Sequence, residues 1–383
     1  MSEKQAYKDL IAHVENWLFG VPNPEAFISI LEYRFTPEEA AFLAKLPHMP
    51  QSLDQLSEKL AVPADKLAKK MEPMIKKGMI YEVEGKSAVR YSFPDHLFFL
   101  MRMPGWKGED DELNRTLSPM VNRYYINDFG ADFMGYPTKG LRAIPIAQTV
   151  KDPRVVTPYE DVLGFVDQQD YHTVSICPCR HRHRMDPDMP DCEHEIRNCL
   201  HFGKLGRYIV KHGMGEEIRK EETFEILEKA ADAGLVHGLS NSLTNPDTIC
   251  NCCSCCCLFL EPVNMPAPMP RGHQPSNYKV EQNRETCVAC GKCVKLCPMK
   301  ALELRDKPDA PKPLEGRKLK PKDLKEVVYD PDRCIGCGVC VHKCPTQSLS
   351  LKRMDEEQDY PQSMGDAGRR MMTERGRDFS KVY

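Results

Sequence analysis

The 18 cysteines of this chain constrain it more than any other feature, and all of them lie between Cys177 and Cys344. Thiols at that density organise a fold through cross-links or through metal. Disulfide scaffolds are short secreted domains introduced by a signal peptide. Here the chain runs to 383 residues, and its opening, Met1-Ser2-Glu3-Lys4-Gln5, has no apolar h-region. The longest apolar runs, such as Leu97 to Met101, fall far short of the roughly 20 residues of a membrane span. These features predict a cytoplasmic protein in a reducing compartment, where clustered thiols hold metal. With 53 basic and 56 acidic side chains, the net charge of -3 makes no general case for a polyanionic partner.

Eight cysteines form a doublet. The run Cys287-x2-Cys290-x2-Cys293-x3-Cys297-Pro298 recurs as Cys334-x2-Cys337-x2-Cys340-x3-Cys344-Pro345 at a constant offset of 47. The flanks repeat with it: Ala301-Leu302-Glu303-Leu304 aligns with Ser348-Leu349-Ser350-Leu351. Thiolates at this spacing surround one inorganic cluster only if the backbone curls tightly, which Gly291 and Gly338 ease. The proline after the last cysteine has no N–H and gives a clean break. Two zinc sites are the competing reading of x2 spacing, but zinc motifs seldom carry the x3-Cys-Pro ending twice. The run resembles the bacterial ferredoxin signature over residues 280–352, in which the fourth cysteine ligates the other cluster. That resemblance implies Cys287, Cys290, Cys293 and Cys344 for one 4Fe–4S cluster, and Cys334, Cys337, Cys340 and Cys297 for the second. Between the halves, Asp306 to Asp332 is rich in Pro and Lys (Pro308, Pro311, Pro313, Lys318, Lys320, Pro321, Lys322) and predicts a surface loop.

The other ten cysteines are Cys177, Cys179, Cys192 and Cys199, then Cys250, Cys252, Cys253, Cys255, Cys256 and Cys257. Free thiols this crowded are prone to oxidation, so they read as ligands of one or two further iron–sulfur clusters. Adjacent cysteines diverge in direction, which argues for division between sites, with a few left as packing residues. His181, His183, His194 and His201 lie among the first four, so a mixed Cys/His zinc site stays open. Phe224, Leu227, Ala230 and Ala231 share one face of a helical stretch expected over 195–236, with Gly234 as its stop. A helical hairpin there would bring the two cysteine groups together.

The order Cys177-Pro178-Cys179-Arg180, the Cys192 to Cys199 segment, Gly234-Leu235-Val236-His237, then Cys250-Asn251-Cys252-Cys253-Ser254-Cys255-Cys256-Cys257 widens the resemblance. It is similar to multicluster ferredoxin-like proteins of anaerobic bacteria and archaea, over roughly residues 171–352. That resemblance implies anaerobic metabolism and an electron carrier working beside a larger redox enzyme.

Residues 1–176 contain no cysteine. Thr36-Pro37-Glu38-Glu39 reads as a capped helix start. Ser52 opens a second helix carrying Leu53, Leu56 and Leu60. After Pro63 a third presents Leu67, Met71, Met74 and Ile75, ending at Gly78. Strands over 80–83 and 88–93 flank a turn at Glu84-Gly85-Lys86. Residues 36–93 thus resemble a winged-helix domain. Lys66, Lys69, Lys70, Lys76 and Lys77 offer phosphate contacts, but Pro73 interrupts the candidate reading helix and Glu38, Glu39, Glu58, Asp65, Glu72, Glu82 and Glu84 sit in the same unit, which argues against DNA. A scaffold or subunit-docking role is the expectation.

The predicted fold class is α+β. A mainly helical N-terminal domain (1–110) contains the winged-helix-like unit, and a helical connector follows (111–170). A helical Cys-rich central domain (171–262) precedes a bacterial ferredoxin-like two-cluster domain (280–352) and a charged, mobile tail (353–383). No Gly-x-Gly-x-x-Gly or Walker loop announces a nucleotide, and no His-Glu-x-x-His or Gly-x-Ser-x-Gly announces a hydrolase. The isolated His172, His237 and His342 receive no catalytic role. The reading that follows is an electron-transfer protein passing single electrons from a flavoprotein or ferredoxin to a larger oxidoreductase. Two alternatives stand beside it: an enzyme with a substrate-reactive central cluster, and a redox-responsive DNA-binding regulator.

Overall fold

The computed structural model describes residues 3–85, 87–150, 160–265, 268–311 and 319–382. Lys86 of the expected turn, Pro313 and Lys318 of the expected loop, and connector residues 151–159 lie outside them.

Helices Glu3–Glu15, Pro24–Arg34, Pro37–Leu43, Leu53–Leu60 and Ala64–Lys76 open the chain. Two of them start on reciprocal caps. The Glu39 N–H donates to Thr36 Oγ1 (3.2 Å) and the Thr36 N–H to Glu39 Oε2 (3.0 Å), and Ser52 with Gln55 repeats the device. Pro73 lies inside the Ala64–Lys76 helix without ending it. Strands β1 (Gln51–Ser52), β2 (Tyr81–Glu84) and β3 (Val89–Ser92) form a small antiparallel sheet in the order β1-β3-β2. Leu10, Leu31, Leu43, Leu56, Leu67 and Phe93 fill the core beneath it. Helix Glu112–Tyr124 then runs through a π turn at Tyr125–Phe129 into Gly130–Gly135.

The centre departs from the helical expectation. It is a seven-stranded sheet of β4 (Leu141–Ala143), β5 (His172–Ile176), β6 (Arg197–Phe202), β7 (Glu216–Glu217), β8 (Val236–Ser240), β9 (Thr248–Cys252) and β10 (His273–Gln274). Its order is β10-β4-β8-β9-β6-β5-β7, antiparallel throughout except for the β10–β4 pair. The period is the reason. Val174, Leu200, Phe202 and Ile249 point to one face, where Ile226 and Leu227 of helix Lys220–Asp232 cover them. The residues between them, Cys199 and Cys250, point to the other, and alternation of this kind is a strand signal. The 195–236 segment thus contains the anticipated helix, but only over 220–232, behind a strand and a shorter helix, Gly203–Lys211.

The C-terminal module shows the duplication in its backbone. Strands β11 (Tyr278–Gln282) and β12 (Leu302–Asp306) recur at the same offset as β13 (Lys325–Tyr329) and β14 (Leu349–Arg353). Each pairs across the repeat, β11 with β14 and β12 with β13. Left-handed residues recur too: Ala289 with Gly336, Gly291 with Gly338, and Lys300 with Gln347. At Gly336 (φ 67°) a Cβ would lie 2.3 Å from the Tyr278 carbonyl oxygen, so glycine is required there.

The tail was expected to be mobile; it is packed. Helix Met364–Glu374, capped by Ser363, buries Ala367, Met371 and Met372. Thr138 Oγ1 donates to Glu374 (2.5 Å), the Leu243 N–H to Pro361 O (2.9 Å) and the Met49 N–H to Val382 O (3.1 Å). Arg375 lies 3.8 Å above the Tyr136 ring. Composition misled here because the charges are paired, as in Arg370 with Asp359 and Asp366. Among the described residues no helix is long and apolar enough to cross a membrane.

Two results are expected for the tail. Arg369 and Arg370 in the native protein resist trypsin, and Arg375→Ala destabilises the fold by about 1–2 kcal/mol, read as a lower Tm. Rapid native cleavage at those arginines contradicts the docked arrangement.

Candidate metal centres

In the C-terminal module, Cys287, Cys290, Cys293 and Cys344 line one cavity and Cys297, Cys334, Cys337 and Cys340 line another. Each set takes three sulfurs from one repeat and one from the other. The chemistry of both cavities fits a four-iron cluster. Backbone N–H groups point at sulfur, from Ala301 to Cys297 Sγ (3.2 Å) and from Gly336 to Cys334 Sγ (3.4 Å). Burial, then the neighbouring Cys287, Cys290 and Cys344, pushes the Cys293 thiol up to about 11. Burial also raises Cys297, Cys337 and Cys340. Metal-free, these groups resist the thiolate form; a bound cation reverses that preference. Cys290 is exposed and Val288 beside it is 39% exposed, whereas Cys334, Cys337 and Cys340 are buried. One cavity therefore meets solvent and the other faces inward.

The ten central cysteines fall into two groups, and each group mixes the two sequence segments. Cys192, Cys253, Cys255 and Cys256 hold their sulfurs within 4.8 Å of one another. Within that set Cys192 lies 3.9 Å from Cys253 and 3.4 Å from Cys255, with Cys255 to Cys256 at 3.6 Å. The remaining six, in the series Cys177–Cys179–Cys257–Cys252–Cys250–Cys199, line a second space, and each perturbs the ionisation of its neighbours in that series. Cys199 and Cys250 meet because β6 and β9 are neighbours with Leu200 opposite Ile249. The turn after β9 carries Cys253 to Cys257 back toward the Pro178–Arg184 helix.

That helix binds the two segments together with buried arginines. Arg180 is fully buried. Its Nη1 donates to Glu195 O and Asn198 Oδ1 and its Nη2 to Asn251 O, all at 2.9 Å. Burial works against its charge, but the sulfurs of Cys177, Cys253 and Cys192 outweigh that and hold the guanidinium protonated. Arg182 donates to Asn122 Oδ1, to Cys256 O (3.2 Å) and to Glu261 (3.4 Å). Neither Arg180 nor Arg182 received a role from the sequence; the signal was five basic residues directly behind Cys179, all but Arg184 buried.

The histidines do not join the sulfurs. His181 Nε2 faces Glu109 O (2.9 Å), His183 Nε2 faces Glu261 (3.2 Å), and His201 lies between Ser175 and Thr248. Burial lowers His201 to about 3, so it is neutral. Among the described residues the one compact metal-ligating group outside the C-terminal module is all cysteine.

Two family models, each described as a 4Fe-4S dicluster domain, match residues 286–348 and 326–376. Both span the run Cys334 to Cys344, and no cysteine follows it, so the two matches describe one two-cluster module. The matches cover well under half of the chain. No curated protein and no solved structure matches it. The chain thus carries 4Fe–4S clusters in its C-terminal module, and the central cysteines provide for clusters beyond that pair.

Arg180→Ala leaves the Asn251 and Glu195 carbonyls and the Asn198 amide without their donor. It is expected to destabilise the protein by about 3–5 kcal/mol and to cost central iron while the C-terminal module keeps its own. Arg180→Lys, a point charge in place of a fork, falls between. Wild-type Tm and iron content in Arg180→Ala contradict the clamp.

Proposed function

We propose that the chain is an iron–sulfur electron carrier in which the ferredoxin-type pair and the central sulfurs form one relay. Thiolate-bound clusters exchange single electrons with potentials tuned by hydrogen bonds, charge and exposure. The observation that carries the reading is how the module is seated. The Ile146 N–H, next to β4, donates to Cys337 O (3.1 Å). Asn264 Nδ2, a few residues past Cys257, donates to Pro298 O (2.9 Å), beside Cys297. Asp232, at the end of the helix behind the central sheet, pairs with His342 (3.1 Å) and Lys343 (3.0 Å). These contacts seat the ferredoxin-type module directly against elements that carry or flank the central cysteines.

Electrons enter at the exposed Val288 and Cys290, with the exposed Arg284, Lys292 and Lys295 close by in sequence. A redox protein with an acidic face is the matching donor. The winged-helix-like segment 36–93 is a scaffold for the central domain. Of the five lysines at 66–77 that could meet phosphates, three are already engaged, Lys76 with Glu72, Lys77 with Glu39, and Lys70 over the Phe42 ring, which leaves little for DNA.

The test is anaerobic stopped-flow reduction of the holoprotein by a chemically reduced acidic ferredoxin. The C-terminal clusters should bleach first and the central ones later, with a second-order phase that slows as salt rises. Val288→Glu should slow that first phase about tenfold and leave the internal step unchanged. Central clusters reduced ahead of the C-terminal pair, at a rate indifferent to Val288→Glu, contradict the relay.

A further inference from the structure

The six central sulfurs open into a space far larger than the cavities of the C-terminal module. Those cavities hold about 20 Å3 each, the central one about 420 Å3. Sulfur lines only part of it. The rest is walled by aromatic and apolar side chains, among them Phe98, Phe133 and Phe259, and by both tryptophans of the chain, Trp17 and Trp106. Met364 and Met371 of the docked tail helix close one side.

The polar groups in this wall are mostly donors, and several are unused. Trp106 Nε1 and Asn198 Nδ2 are buried and have no hydrogen-bond partner among the described residues. Arg102, half-buried at the end of the π turn Phe98–Arg102, makes no ion pair among them. The carboxyls in this wall are Asp95 and Asp247. Asp247 accepts the Ser240 hydroxyl (2.8 Å). Burial raises the Asp95 pKa against the pull of Arg102, and Asp95 accepts the Phe98 N–H (3.1 Å). A wide aromatic slot with an unpaired cation and spare N–H groups is complementary to a ring system that carries an anionic group.

We propose that this cavity is a binding site for a planar aromatic anion, held by Arg102 at its charged group and by Trp106 and Phe98 along its rings, against the sulfur-lined end. Its occupant is a small molecule and differs in kind from the redox protein that delivers electrons at Cys290, so the two sites stand or fall separately.

The probes are 1-anilinonaphthalene-8-sulfonate and N-phenyl-1-naphthylamine, which share a ring skeleton and differ by the sulfonate. Both are titrated calorimetrically into anaerobic holoprotein. One sulfonate per chain is expected, displaced competitively by the neutral amine. Arg102→Gln should weaken the sulfonate about tenfold and leave the amine within about twofold, which also reports that the variant is folded. Arg102→Lys should restore most of the loss. No binding, several equivalent sites, or a sulfonate affinity unchanged in Arg102→Gln overturns the proposal. So does a parallel loss of both probes, which would make Arg102 a structural counter-charge to the cysteines.

Discussion

The structure depends on one buried cation. Arg180 enters the sheet between two sulfur-bearing segments and bonds the backbone of both, at Glu195 and at Asn251. A buried guanidinium is costly unless opposite charge is near, and the more so here because Nη1 and Nη2 find acceptors while Nε has none among the described residues. Here the charge comes from the sulfurs of Cys177, Cys253 and Cys192, so the cation and the cysteines stabilise each other. Crowded thiolates repel, and without a local positive charge and bound metal the ten central cysteines have no reason to stay ionised together. Arg182 repeats the arrangement two residues on, tying Asn122 of the connector helix to the Cys256 carbonyl and to Glu261. Folding of the centre and binding of metal are thus parts of one process.

The C-terminal module reaches the same end by symmetry. Duplication at an offset of 47 gives two half-sites that are each one sulfur short. Pairing β11 with β14 and β12 with β13 brings the missing sulfur from the other half. Neither half can close its site alone, which makes the module a single cooperative unit. Its outer cavity meets solvent at Cys290, and its inner one abuts the elements that carry the central cysteines.

How much of this was legible follows from how local each cause is. The eight C-terminal cysteines were readable because three of every four ligands lie within a few residues and the pattern occurs twice. The helix starts at Thr36 and Ser52 were readable for the same reason, since a capping box spans four residues. The central sheet was not, because its inward face alternates cysteine and histidine with the apolar residues of the outward face, and such strands look weakly amphipathic. The genuine helical period at Phe224 to Ala231 was extended over flanks that are strands. The division of the central ten into a set of four and a series of six depends on β6–β9 register and on Arg180, both long-range. The tail looked mobile because its charges were visible and their partners, such as Asp359 for Arg370, were not.

Everything above rests on iron being held by both cysteine-rich regions of one chain. Iron, acid-labile sulfide and zinc per chain, measured on protein purified without oxygen, test that most directly. The account predicts about 12 to 16 iron with matching sulfide and no stoichiometric zinc. About 8 iron and 8 sulfide, with zinc or free thiol accounting for the central cysteines, would contradict it and leave a two-cluster carrier attached to a metal-poor domain.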